Sequence, residues 1–374
     1  MSSEFGKLLR ISIFGQSHGA AVGVVMDGLP AGERIDLQEV QAFLQRRSPG
    51  KRELTSARSE TDRPEILSGL VNQITCGAPL AAIFRNQDIK SADYEQFSRF
   101  PRPSHADYPA FLRYHNFQDV RGGGHFSARL TAPLCFAGAV ALQILKRHGI
   151  TIGGHIATIG TATDRPLSPL LVTKDQLLAL QQMQMPLCDP EAGGLMYQQV
   201  REAAAAGDSI GGVIEAAVVG LPGGLGNPMF DGIESRLSAV LFAIPAVRGV
   251  EFGSGFSAAG MRGSEHNDPW CMKNGHVVTA SNHHGGVLGG ITTGMPLLVR
   301  VAFKPTSSIA QEQQTVDLHN RTDAALTISG RHDSCIALRA TPCVEAVLAA
   351  VLLDYLLEDE GHQAERTGAV ERNH

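Results

Sequence analysis

The sequence predicts a single-domain, layered α+β fold, and three observations carry that prediction. Strand-like apolar runs occur at Leu9–Phe14, Val22–Met26, Leu80–Phe84, Ile210–Val219 and Leu297–Phe303, several with partial alternation. Helical signals fall between them without the regular strand–helix rhythm of a doubly wound parallel sheet, so several antiparallel strands are expected. The 41 glycines are spread as punctuation, with no linker tract and no repeat at a fixed period, so no domain boundary stands out.

The helices follow from their end signals. Asp36-x-x-Glu39 has the form of a capping box, and the turns after it end in Arg46-Arg47, before Pro49-Gly50. A long helix is expected from Ala128 to His148, stopping at Gly149, because glycine readily takes the left-handed conformation that closes a helix. The apolar centre of that helix, Ala132 to Leu145, is interrupted by Pro133 and Gly138 and is too short to cross a bilayer. Asp231–Phe242 and Val344–Leu357 supply two further helices, each with an apolar face. The expected domain is 1–357; the segment from Glu358 to His374 is charged, lacks apolar anchors and is expected to be mobile.

Composition narrows the function classes. With 374 residues, 43% hydrophobic and 18% charged, the chain can bury a sizeable core. Its net charge of −5 implies no general affinity for nucleic acid. Six scattered cysteines without a C-x-x-C pair point to free thiols in a reducing compartment. The amino end, MSSEFGKLLRISIFG, has no long apolar core before a small-residue cleavage site, so no export signal, no membrane partner and a cytoplasmic location are expected.

Chemistry concentrates in three glycine-rich segments. Arg331-His332-Asp333 lies in GRHDSCIALRA, with Arg339 eight residues after Arg331; upstream stand FGQSHG (Phe14–Gly19) and RGGGHFSAR (Arg121–Arg129). Such ionisable density costs stability when buried without partners, so it is not packing material. Histidine as a residue type titrates near neutrality, so His18 and His105 are candidates for proton transfer. Arg46, Arg47, Lys51, Arg52, Arg58 and Arg63 crowd one stretch, while Arg121, Arg129, Lys304, Arg331 and Arg339 sit in or beside glycine-rich segments. If they converge they form a pocket for phosphate and carboxylate groups; a run of charges is otherwise a solvated face. Lys304-Pro305-Thr306-Ser307-Ser308 offers a cation and three hydroxyls in one turn, although no Walker motif or dinucleotide fingerprint is present. His283-His284 has no partner at ligand spacing, and no metal site is assigned.

Together these segments resemble the chorismate synthase family, from about Phe5 to Leu357. FGQSHG, RGGGHFSAR and GRHDSCIALRA occur in the family's order, with RRSPG, EILSG, RPSHADY, IPAVRGVEFG, SNHHGGVLGGITTGMP and KPTSS between them. The resemblance implies a β-α-β-α sandwich in a homotetramer. It also implies a redox-neutral lyase that needs reduced FMN and eliminates phosphate from 5-enolpyruvylshikimate 3-phosphate to give chorismate, the last step of the shikimate pathway. By motif position, His18 would protonate the departing phosphate, with Ser17 as its neighbour. His105 would lie near the flavin, and Asp333 would relay the proton from the flavin N5 region. Ser127 completes the implied catalytic set. Arg47, Arg129, Arg331 and Arg339 would hold the small anionic substrate. Flavin contacts are implied at His125, Phe126 and Ser127, at Pro245 and Ala246, at Gly289, at Lys304, Pro305, Thr306, Ser307 and Ser308, and at Arg331.

The chain departs from the commoner family pattern at four places. Gln16 replaces a glutamate, His125-Phe126 stand for Arg-Ser, Ser334 occupies a frequent proline position, and Glu53 stands where a basic residue is common. An active enzyme with altered flavin contacts is expected. Two other readings compete: a flavin or quinone reductase using a nicotinamide cofactor, and a non-catalytic phosphate-binding protein. The first lacks a nicotinamide fingerprint, and the second leaves the set His18, His105 and Asp333 without a purpose. Whether NADPH reduces the flavin directly is left open by the sequence.

Overall fold

The computed structural model describes residues 3–48, 62–87, 96–328 and 333–372, with side chains to residue 361. Its helices, in chain order, are α1 (Leu37–Arg47), α2 (Asp107–Tyr114), α3 (Thr131–Arg147), α4 (Lys174–Gln181), α5 (Ala192–Ala205), α6 (Ile233–Leu241), α7 (Gly263–His266) and α8 (Thr341–Arg372). Two five-stranded antiparallel sheets accompany them. The first orders Glu4–Phe5, Arg10–Gly15, Ala21–Asp27, Leu80–Arg85 and Glu65–Ser68. The second orders Val247–Phe252, Leu297–Phe303, Gly212–Val219, Thr151–Ile159 and Ala162–Thr163.

Packing stacks these elements in four layers. The first sheet rests on α3, which lies beside α1 and α8; α8 covers one face of the second sheet, and α4 and α5 cover the other. This β-α-β-α order is the one the family resemblance implied. Thr151–Ile159 and Gly212–Val219 are buried along most of their length because helices cover both faces, which is why their sequences alternate poorly.

Local signals explain the helix ends. The Asp36 carboxylate caps α1 by accepting from the backbone N–H of Gln38 and Glu39. The reciprocal half of the expected capping box does not form; Glu39 turns to Lys146 at 3.6 Å. Arg46 and Arg47 end α1, where cations complement the helix dipole. The expected long helix begins as a 3-10 turn, Ala128–Leu130, before α3. Gly149, at φ 79°, closes α3, with the Ile150 N–H donating to the Leu145 carbonyl at 3.0 Å. Gly138 is no flaw in α3. A Cβ there would lie 2.2 Å from the Cβ of Ala346, so the glycine lets α3 and α8 cross in close contact.

Two expectations about the carboxyl end change. Helix α8 starts at Thr341 and runs to Arg372, longer at both ends than the helix expected over Val344–Leu357. Glu358, assigned to the tail, is buried and pairs with Arg236 at 2.5 Å, next to Asp354 at 2.8 Å from the same guanidinium. Charge alone suggested a solvated tail; the partner lay 122 residues upstream.

Candidate active site

Three consecutive glycines assemble the site. Gly122, Gly123 and Gly124 have φ of 62°, 84° and 54°, a run that side-chain-bearing residues avoid. A Cβ on Gly122 would sit 2.6 Å from the His18 ring and 2.8 Å from Ser17 Oγ. One on Gly123 would lie 3.5 Å from the His105 ring and 3.8 Å from Ser127 Cβ. The Ser17 N–H donates to the Gly124 carbonyl at 3.1 Å. Bare backbone therefore brings Ser17, His18, His105 and Ser127 around one turn, from three distant segments. Ser127 also starts the turn into α3 by accepting from the Arg129 N–H at 3.3 Å.

Beside this turn lies a buried knot of arginines around a carboxylate. Asp62 accepts from Arg47 and Ser48 on one oxygen and from Arg129 on the other. Arg47 also donates to Thr131 Oγ1 at 3.0 Å, and Arg129 donates to Asn86 Oδ1 at 2.9 Å. Asn86 in turn donates to the carbonyls of Gly19 (2.8 Å) and Gln16 (3.0 Å), tying the knot to the His18 loop. Burial raises the Asp62 carboxyl, but Arg47 and Arg129 outweigh it and lower it to about 2. Two guanidiniums on one carboxylate leave a net positive charge. Asp62 itself holds a left-handed φ of 45°, a strained conformation for an aspartate.

The third cluster centres on His105. Its Nδ1 donates to Asp107 Oδ1 at 2.6 Å, an acceptor that fixes the proton on Nδ1 and leaves Nε2 for chemistry. Arg102 clamps Asp107 at 2.7 and 2.8 Å and reaches Ser308 Oγ at 3.4 Å. Burial pushes the His105 pKa down, opposed by the Asp107 bond, so the imidazole is neutral at neutral pH. Lys304 donates to the Ser104 carbonyl at 2.5 Å, and its own N–H donates to the carbonyl of Ala246, which has φ 74°. Ser209 Oγ donates to the Thr306 carbonyl at 2.7 Å, while the buried Thr306 Oγ1 has no partner among the described residues.

Asp333 closes the site. Arg339 binds it through Nε at 3.1 Å and Nη2, and reaches the Arg47 carbonyl at 3.3 Å. The Ile210 N–H donates to the Ser334 carbonyl at 2.8 Å, joining this segment to the start of Gly212–Val219.

Not every sequence candidate joins the cluster. Arg331, His332, Lys51, Arg52, Glu53 and Arg58 lie outside the described residues. Arg121 turns outward to Asp119 at 2.8 Å, and Arg63 is exposed. Arg46 is no solvated surface charge; it pairs with buried Glu345 at 2.5 Å. His125 lies 3.4 Å from both Ser3 Oγ and the Gly15 carbonyl, and the neighbouring Phe126 ring is partly exposed. Pro245 directly precedes Ala246; Pro305 lies 3.2 Å from where a Gly211 Cβ would be, and Ser307 accepts from Gln313 at 3.4 Å. Gly289 turns a short hairpin beside the Leu297 end of Leu297–Phe303, opposite the end that leads to Lys304.

Sequence reasoning missed Asp62, Asn86 and Asp107 as site residues. The available signal was charge balance: buried arginines require buried counter-charges. It also found no acidic partner for His283-His284. Asp268 is that partner, accepting from the His284 ring at 2.6 Å and from three other donors around it.

Comparison with known proteins shows the family. A family model described as chorismate synthase matches residues 9–357. Chorismate synthase from Korarchaeum cryptofilum is 47% identical over 354 residues, 94% of this chain and 97% of that protein. The one from Thermococcus gammatolerans is also 47% identical, over 94% of this chain and 97% of its own. A crystal structure of chorismate synthase superposes with a TM-score of 0.75 at 29% identity, covering 95% of this chain and 93% of the other. The chain belongs to the chorismate synthase family of lyases.

Proposed function

We propose that this site eliminates phosphate and a ring hydrogen from 5-enolpyruvylshikimate 3-phosphate, giving chorismate, with reduced FMN bound beside the substrate. The observation that carries this reading is the Gly122–Gly124 turn, which places His18, Ser17, His105 and Ser127 together next to a net-positive arginine knot.

His18 is the acid that protonates the departing phosphate, with Ser17 beside it. Arg47, Arg129 and Arg339 carry the positive field that holds the substrate's phosphate and carboxylates, and Arg331 joins them by motif position. One carbon–oxygen bond to phosphate and one ring carbon–hydrogen bond break while a ring double bond forms, so no net oxidation occurs. Asp333, oriented by Arg339, relays the ring-derived proton through its carboxylate.

The residues present fit FMN. The unpartnered Thr306 hydroxyl, the Lys304 ammonium, Ser308 and the Ala246 backbone gather at the His105 end of the second sheet, as a phosphate-bearing polar ring system requires. Neutral His105 would accept or share a proton at Nε2 while Asp107 and Arg102 hold its ring. Reduced FMN, when bound, would supply electron density to the substrate. Pro245, Ser307, His125 and Phe126 complete the proposed contacts, within a cytoplasmic homotetramer; Gly289, at the opposite end of Leu297–Phe303, stands apart from them.

The test is an anaerobic assay with the substrate and chemically reduced FMN. Equal release of chorismate and phosphate is expected. Steady NADPH oxidation without substrate, and no chorismate, would favour a flavin reductase instead.

A further inference from the structure

A second buried cluster lies on the opposite face of the second sheet. In the strand Thr151–Ile159, a Cβ on Gly154 would meet Thr341 of α8, while one on Gly153 would meet Leu177 of α4. Side chains alternate along a strand, so His155 projects to the α4 side, away from α8. There it is fully buried, with Asp164 and Glu215 also buried and Cys188 half-buried.

The ring is held at both nitrogens. Nε2 lies 2.9 Å from Glu215 Oε2, which also accepts from the Leu167 N–H at 2.6 Å. Nδ1 lies 2.7 Å from Asp164 Oδ2. Asp164 is aimed by three backbone N–H groups, those of Arg165 (2.7 Å), Cys188 (2.6 Å) and Asp189 (2.8 Å). The Cys188 sulfur shares the histidine's surroundings, and the ligand atoms of His155, Asp164 and Cys188 all lie within 4.8 Å of one another.

We propose that His155, Asp164 and Cys188 form a binding site for a zinc-class divalent transition metal. An imidazole nitrogen, a carboxylate oxygen and a thiolate sulfur are the donors such ions take in tetrahedral sites. Glu215 on the far ring nitrogen supplies the supporting carboxylate that metal-bound histidines use to fix their tautomer. A water would be the fourth ligand of a four-coordinate site. Binding exchanges one dication for the imidazole Nδ1 proton and the thiol proton, both released to solvent. The metal would tie the segments before α4 and α5 to the sheet, remote from the elimination chemistry. No sequence motif announces it because the three ligands are nine and 24 residues apart.

The test uses the full chain, stripped of metal, reduced and kept anaerobic, titrated with Co2+. A thiolate-to-cobalt charge-transfer band that saturates at one equivalent per chain is expected, bleached by one equivalent of Zn2+. Cys188→Ser should abolish it, and Cys76→Ser and Cys271→Ser, at exposed cysteines, should retain it. No band with the unaltered chain overturns the proposal, whatever the variants do. A band of full strength in Cys188→Ser overturns it too.

Discussion

The Asp107 carboxylate accepts the Nδ1 proton of His105 at 2.6 Å while Arg102 holds that carboxylate from the other side. This makes Asp107 a positioning residue. Asp107→Asn removes the bond that opposes the downward shift of His105 and leaves Arg102 uncompensated, so the histidine pKa falls further. Turnover should drop on the order of 10²-fold. Any acid limb of the pH–rate profile due to His105 should move to lower pH. A limb left in place would separate His105 from that ionisation.

Asp62 is the counter-charge on which Arg47 and Arg129 converge. Asp62→Asn leaves two buried guanidiniums without it, a loss of about 3–5 kcal/mol by the usual cost of breaking a buried pair. The acid-side behaviour has a definite sign. Because folding lowers the carboxyl from 3.8 to about 2, its contribution is complete above 3.8 and disappears as pH falls through about 2. Urea unfolding from pH 5 to pH 2 should lose that component of its slope in the variant. An identical slope in both proteins would show that Asp62 does not titrate this way.

Gly122 touches the His18 ring with backbone alone. Gly122→Ala combines a φ of 62° with a Cβ 2.6 Å from that ring. The conformational cost is about 1–2 kcal/mol. The larger effect should be catalytic, with kcat reduced on the order of 10²-fold as His18 and Ser17 are displaced. Full turnover in a folded variant would mean that His18 is not held by this turn.

Thr306 carries a buried hydroxyl that meets no partner among the described residues. Thr306→Val removes an unsatisfied polar group, so the flavin-free protein should keep or gain stability. FMN should bind about tenfold more weakly if that hydroxyl is a ligand donor, which corresponds to ~1.4 kcal/mol. Calorimetry against thermal melting separates the two effects. Unchanged affinity would remove Thr306 from the flavin site.

The sequence by itself determined the antiparallel character of the fold and most of its elements. Leu297–Phe303 is a strand over the expected range, and Gly149 ends the helix it was expected to end. These features are local: apolar periodicity and a left-handed glycine act within a few residues. The signature segments also put forward His18, Ser127, Arg129 and Asp333 as candidates, because reactive side chains beside glycines are visible one segment at a time.

Tertiary structure alone decided which charges answer which. Asp62 meets Arg129 across 67 residues, Glu345 meets Arg46 across 299, and Glu358 meets Arg236 across 122. Burial made each pairing obligatory, since an unpaired charge in the interior costs several kcal/mol. Sequence spacing carries no trace of that requirement, which acts only once packing has excluded water from both partners.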